Sequence, residues 1–155
     1  MSVSDGKPLW LLDTNILSSV IKRPHDLAGQ QLREQADLRP GAMVTSVVVE
    51  CELLFGAKRI ASAALTRKIT DLLELVPPLT LQRDIAAHYA SIRAHLETLG
   101  TPIGPNDTLI AAHALALDCT LVTDNEAEFW RVPGLRVENW LKEPAAPVAS
   151  GADPI

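Results

Sequence analysis

Apolar residues along the chain fall into two patterns. Continuous apolar runs at 9–12, 43–45 and 119–123 read as short strands buried on both faces. Between them, apolar positions recur every three or four residues, the mark of amphipathic helices. Ile16, Leu17, Val20 and Ile21 predict a first helix that ends near Lys22-Arg23-Pro24. A second, with Asp26 placed to cap it, carries Leu27, Leu32 and Leu38 up to Arg39-Pro40-Gly41. Ser46 is placed to cap a third helix over 47–57, although its opening valines are poor helix formers. Ser62 opens a fourth, which Pro77-Pro78 ends, and a strong helical pattern over 81–99 closes at Gly100. Gly104-Pro105-Asn106-Asp107 reads as a loop before a helix over 108–117 that is apolar nearly all round, as a buried helix is. A helical turn at Phe129 and Trp130 and a short strand over 135–137 follow. From Pro144 the chain lacks periodicity and reads as a disordered tail, leaving 1–143 as one domain. Strands alternating with helices predict an α/β fold, a parallel sheet covered on both faces.

Bulk properties narrow the class. At 155 residues, 47% hydrophobic and 21% charged, the chain is an ordinary globular protein with enough length for a sizeable core. Its net charge of −5 excludes a general polyanion binder, so any nucleic-acid contact requires a local basic patch or a metal. Cys51 and Cys119 match no metal-ligand spacing and read as reduced core residues of a cytoplasmic protein. Residues 1–8 lack the order of a signal peptide, and no apolar run reaches membrane-spanning length. His113 reads as a core histidine, His25 as a loop residue, and His88 and His95 as helix-surface residues.

Four acids stand at comparable places. Asp13 follows the first strand, Glu52 lies in the helix after the second, Asp107 opens the buried helix, and Asp124 follows the late strand. Carboxylates gathered near a core repel one another unless a cation neutralises them. Hard oxygen ligands without His or Cys point to Mg²⁺ or Mn²⁺, and so to metal-assisted phosphodiester chemistry. Spacing alone leaves open whether the four converge.

The motifs Leu11-Leu12-Asp13-Thr14-Asn15, Glu52-Leu53-Leu54-Phe55-Gly56-Ala57, Asn106-Asp107-Thr108-Leu109-Ile110-Ala111-Ala112-His113 and Val122-Thr123-Asp124-Asn125 occur in this order. Together they resemble the PIN-domain family, and within it the VapC-type toxins of bacterial toxin–antitoxin pairs, over about residues 8–141. The resemblance implies a PIN-like three-layer fold, a parallel sheet of four or five strands between helices, and Mg²⁺- or Mn²⁺-dependent endoribonuclease activity. Carried over by position, Asp13 and Asp107 are the principal metal ligands, Glu52 is preferred to Glu50, and Asp124 is the fourth acid, with Asn125 as its substitute. Thr14, Asn15 and Thr123, with Asn125, orient carboxylates or water. The implied partners are an RNA substrate, a cognate antitoxin and a second copy of the chain, with DNA reached only through the antitoxin.

Some alternatives stay open at this level. Lys22, Arg23, Lys58 and Arg59 are candidates to grip RNA phosphates, or they form a solvated surface. Leu27, Leu32, Leu65 and Leu72 are candidates for an antitoxin groove, or they are core. A phosphoryl-accepting receiver domain would need adjacent acids after the first strand and a late lysine, and both are missing. A non-catalytic, nuclease-like module acting with its partner in DNA-bound repression is the alternative function. It is disfavoured by the full set of four acids and the lack of a basic helix.

Overall fold

A computed structural model of the protein describes residues 6–143, so the tail expected from Pro144 lies outside the described residues. Elements follow in the order β1 (Trp10–Leu12), α1 (Thr14–Lys22), α2 (Leu27–Leu38), β2 (Met43–Ser46), α3 (Val47–Arg59), α4 (Ala63–Leu75) and β3 (Pro78–Leu79). Then come α5 (Ile85–Thr98), α6 (Pro105–Leu117), β4 (Thr120–Val122), α7 (Glu126–Phe129) and β5 (Val137–Glu138). The five strands form one parallel sheet in the order β3-β2-β1-β4-β5. Parallel neighbours need crossover connections, and the right-handed sense of such crossovers puts α1–α4 and α5–α6 on opposite faces. Accordingly α1 packs with α2, α3 and α4, and α5 packs along α6, while α3 also meets α6.

Burial of the central strands explains why they are apolar on both sides. Leu11, Leu12, Leu121 and Val122 are fully enclosed, together with Ile16 and Leu17 of α1 and Ile110, Ala111 and Ala112 of α6. Each buried Leu or Ile contributes roughly 1.5–3 kcal/mol relative to exposure. The alanines of α6 let its backbone approach closely. His113 of the same helix is a core histidine, as expected, with Nδ1 at 2.8 Å from Ser46 Oγ. Burial holds its imidazole below the usual pKa, against a smaller opposing effect of Asp84.

Several expectations need correction. β3 does not show in the sequence because Pro77-Pro78 reads only as a helix stop. At the sheet edge a missing N–H is tolerated, and the Pro77 carbonyl still accepts from Thr45 N at 3.0 Å. α5 begins at Ile85 rather than 81, after a turn in which Ile85 N donates to Gln82 O. α6 begins earlier than expected, at Pro105, with Gly104 as its N-cap, so Asp107 lies inside the first helical turn and not in a loop. The last strand is shifted to Val137–Glu138, since Leu135 N is taken up by a turn to Val132 O. Asp26 makes no capping bond, because its carboxylate turns to Arg23, 3.5 Å away. Cys51 is exposed on α3, while Cys119 is buried, with burial pushing its thiol up to about 12. Among the described residues no helix is long and apolar enough to cross a membrane.

At the α1–α2 corner, Gly29 lies against the backbone of Pro24. A Cβ on Gly29 would come within 2.1 Å of the Pro24 carbonyl oxygen, which backbone must move to relieve. Gly29→Ala is therefore expected to destabilise the fold by about 1–3 kcal/mol, despite alanine's better helix propensity. Urea denaturation measures this, and a neutral or stabilising result would mean that the corner yields freely.

Candidate active site at the strand-order switch

The chain runs outward from β1 through β2 to β3, then returns to the other side of β1 for β4 and β5. Strand order thus reverses between β1 and β4, and the connections leaving these strands open a crevice at their carboxyl ends. Asp13 follows β1, and its backbone N–H donates to Val122 O at 2.9 Å. Thr123 follows β4 and is fully buried. Asp13 is only 4% exposed. As N-cap of α1 it accepts from Thr14 N at 2.8 Å through Oδ1, and from Thr123 Oγ1 at 2.8 Å through Oδ2. Asn15 Nδ2 adds longer bonds of 3.4 Å to Asp13 Oδ2 and to Thr123 Oγ1. Thr123 Oγ1 also accepts from Asn125 N at 3.0 Å, so its hydroxyl hydrogen is committed to Asp13.

Two further acids reach the crevice from helices. Thr14 Oγ1 donates to Glu52 Oε1 at 2.8 Å, which ties α3 to α1. Asp107 projects from the first turn of α6. Its carboxyl is pushed up to about 6, first by burial, then by the negative charges of Asp13, Glu128 and Glu52, and by sharing a hydrogen bond with the Glu128 carboxyl. The helix dipole opposes this rise but does not overcome it. Burial also raises Asp13, with Glu52 adding to it, although the Thr123 and Thr14 hydrogen bonds pull the other way.

Glu128, on α7, was missed in reading the sequence. A four-residue helix shows no periodicity, and attention falls on the acid directly after the strand. The available signal was Asn125, one helical turn before it, whose Nδ2 donates to Glu128 Oε2 at 2.9 Å. Asp124 departs from the expectation. It is exposed, its Oδ1 accepts from Asn139 Nδ2 at 3.0 Å, and it is not among the charges raising Asp107. Successive side chains of extended backbone point to opposite sides, so burying Thr123 turns Asp124 outward. Its backbone N–H still donates to Asn15 Oδ1 at 3.0 Å. Glu50 likewise is not among the charges that raise Asp13 or Asp107.

The other candidates lie away from the crevice. Lys22 and Arg23 stand at the far end of α1, about 12 Å along the helix from its first turn, and Lys58 and Arg59 about 9 Å beyond Glu52 on α3. Arg23 is paired with Asp26, and Arg59 sits over the Phe55 ring at 5.7 Å. Leu32 and Leu72 are buried in the core and cannot line an open groove, leaving Leu27 exposed and Leu65 half-buried.

Asp13, Glu52, Asp107 and Glu128 therefore form a charge-coupled basin, and among the described residues none of them is in an ion pair with Lys, Arg or His. Nor, among the described residues, do three such side chains already form a closed cation cage. An acidic basin of hard oxygen donors without a countercharge fits Mg²⁺ or Mn²⁺ by its chemistry.

The model of the PIN domain matches residues 10–135. The chain belongs to the PIN-domain family. This PIN domain is 34% identical over 132 residues to a protein of Salmonella typhimurium named tRNA(fMet)-specific endonuclease VapC, covering 84% of this chain and 97% of that one. It is 37% identical over 135 residues to ribonuclease VapC2 of Haemophilus influenzae, covering 85% and 98%. Among solved structures, VapBC2 from Rickettsia felis bound to a DNA fragment from its promoter superposes with a TM-score of 0.79 at 32% identity, covering 85% of this chain and 98% of that one. DNA-bound VapBC from Salmonella typhimurium superposes with a TM-score of 0.78 at 33% identity, covering 86% and 98%.

The raised acid has a sign that can be tested. Burial and the neighbouring carboxylates push Asp107 up to about 6 in the folded PIN domain, from an ordinary value of 3.8, so the native state holds its proton more tightly. Its contribution to stability is intact below about pH 4 and is lost as pH rises through 6. In EDTA, Asp107→Asn should raise stability at pH 8 by about 1–2 kcal/mol, after discounting for partial exposure, and by little near pH 4. Thermal melts at the two pH values check this. A gain of equal size at both would show that charge is not its source.

Proposed function

We propose that the protein is a divalent-metal-dependent endoribonuclease of the VapC type, the toxin of a toxin–antitoxin pair acting in the cytoplasm. The observation that carries this reading is the uncompensated set of four carboxylates at the strand-order switch of a PIN domain. Relatives named as ribonucleases and VapBC neighbours support the substrate class and the antitoxin partner. Mg²⁺ is the preferred cation, with Mn²⁺ as substitute, and a second copy of the chain completes the assembly. DNA is met through the antitoxin.

Asp13 and Asp107 would hold the cation, with Glu52 and Glu128 completing the negative field around it. When bound, the cation activates a water and stabilises charge on the departing oxygen. The chain's own part is positional. Thr123 and Thr14 fix the Asp13 carboxylate, which cannot swing away without losing two short bonds. Glu52, held by Thr14 at 2.8 Å and less buried, is free to trade that bond for a cation or water. Glu128, steadied by Asn125, adds its negative charge to the field that raises Asp107.

Incubation of antitoxin-free protein with total RNA, in Mg²⁺, Mn²⁺ or EDTA, tests the reading. Initiator tRNA is the first defined substrate to try, because of the relative named for it. Discrete metal-dependent fragments are expected, with Asp13→Asn and Glu128→Gln at least about a hundredfold slower while circular dichroism stays native. Thr123→Ala, which removes an orienting bond, should lose about 10–100-fold, and Thr123→Ser should recover most of it. Asp124→Asn should remain within about threefold of wild type, in the range of a surface substitution. Asp13→Asn cleaving at the wild-type rate would overturn the proposal.

A further inference from the structure

An acidic basin repels an RNA backbone, so a chain of net charge −5 needs a cation placed beside it to seat the substrate. The basic residues suggested by the sequence stand at the distal ends of α1 and α3. Of the other arginines, Arg136 is spent on Asp118 and Arg93 on Glu97. Arg131 is exposed and makes no ion pair among the described residues. Arg33, Arg39, Arg67 and Arg83 also make no ion pair among the described residues, but they stand on α2, at its C-cap, on α4 and before α5. Arg131 instead follows α7, the helix that carries Glu128.

Its position follows from two contacts. Arg131 N donates to Glu128 O at 3.1 Å, continuing the turn of α7, so its side chain lies three residues on from Glu128 and on the same side of that turn. Its Nη1 reaches Pro102 O at 3.5 Å, the outer limit of a hydrogen bond. Pro102 is two residues before Gly104, the N-cap of the helix bearing Asp107. The guanidinium is thus suspended between the two segments that carry Glu128 and Asp107, weakly tethered and with most of its donors free. A planar fork of N–H donors suits a phosphate oxygen pair.

We propose that Arg131 is a substrate-positioning residue that holds an RNA phosphate adjoining the scissile one. This rests on the nuclease reading above. It gives up a weak carbonyl contact for a charged partner and takes no part in the bond cleavage itself.

Steady-state cleavage of an RNA oligonucleotide in Mg²⁺ tests it, beside binding of the same RNA in Ca²⁺, followed through the exposed Trp130. Arg131→Ala should raise KM about tenfold and leave kcat within about threefold. The slope of log(kcat/KM) against log[salt] should become shallower by about 0.7–1. Arg131→Lys should restore most of the salt slope and part of KM, while Lys58→Ala should change neither. Unaltered KM and salt slope in Arg131→Ala, or a loss confined to kcat, would overturn the proposal. If wild type binds RNA without cutting it, the nuclease reading fails, and a tenfold loss of binding in Arg131→Ala still decides the role of Arg131. If wild type neither cuts nor binds, both fall.

Discussion

The hydrogen bond from Thr123 to Asp13 joins the two strands between which the sheet order reverses, and the site depends on it. Burying a carboxylate at that junction is costly unless its oxygens are satisfied. Asp13 meets the requirement with a backbone N–H from its own helix start and a hydroxyl from the far strand. Thr123 donates its single O–H to Asp13 while its oxygen accepts from Asn125 N, so both sides of the hydroxyl are used. Capping, strand registry and charge placement are therefore one arrangement. The side chain that starts α1 is also the one that locks β1 to β4 at their carboxyl ends.

Around this anchor the protein keeps more negative charge than its own cations neutralise. Lys7, Arg136 and Lys142 are engaged by Asp118 and Glu126 at other surfaces. The crevice acids have no ion-pair partner among the described residues, and Asp107 is pushed up to about 6 first by burial and then by their mutual repulsion. Repulsion of this kind destabilises the metal-free fold and favours a cation, so stability and function pull on the same carboxylates in opposite senses.

Much of this was legible in the residues. Strands buried on both faces are continuous apolar runs, and 9–12 and 119–123 were visible as such. Ser46 caps the helix it was expected to cap, and Ser62 opens the next one as expected, with Val48 N and Leu65 N as donors. Asp13, Glu52 and Asp107 stand where the acid pattern and the family motifs put them, and the structure brings all three together. What failed to show was short or conditional. A two-residue edge strand at Pro78 has no period. Glu128 lies in a single helical turn. Whether Asp124 faces inward depends on which of two neighbours is buried, and spacing is blind to that.

By itself the sequence determined the alternation of strands and helices, the type of each long element and the chemical character of the site: hard oxygen donors with no His or Cys. These follow from local periodicity, capping and side-chain chemistry, which one stretch of chain carries alone. Tertiary structure alone decided strand order, and with it the convergence of residues up to 115 positions apart, from Asp13 to Glu128. It also decided that Glu128 rather than Asp124 joins the basin, and that Leu32 and Leu72 are core. Each of these depends on which surfaces meet across the sheet, and that is set by packing between segments with no local signal of one another.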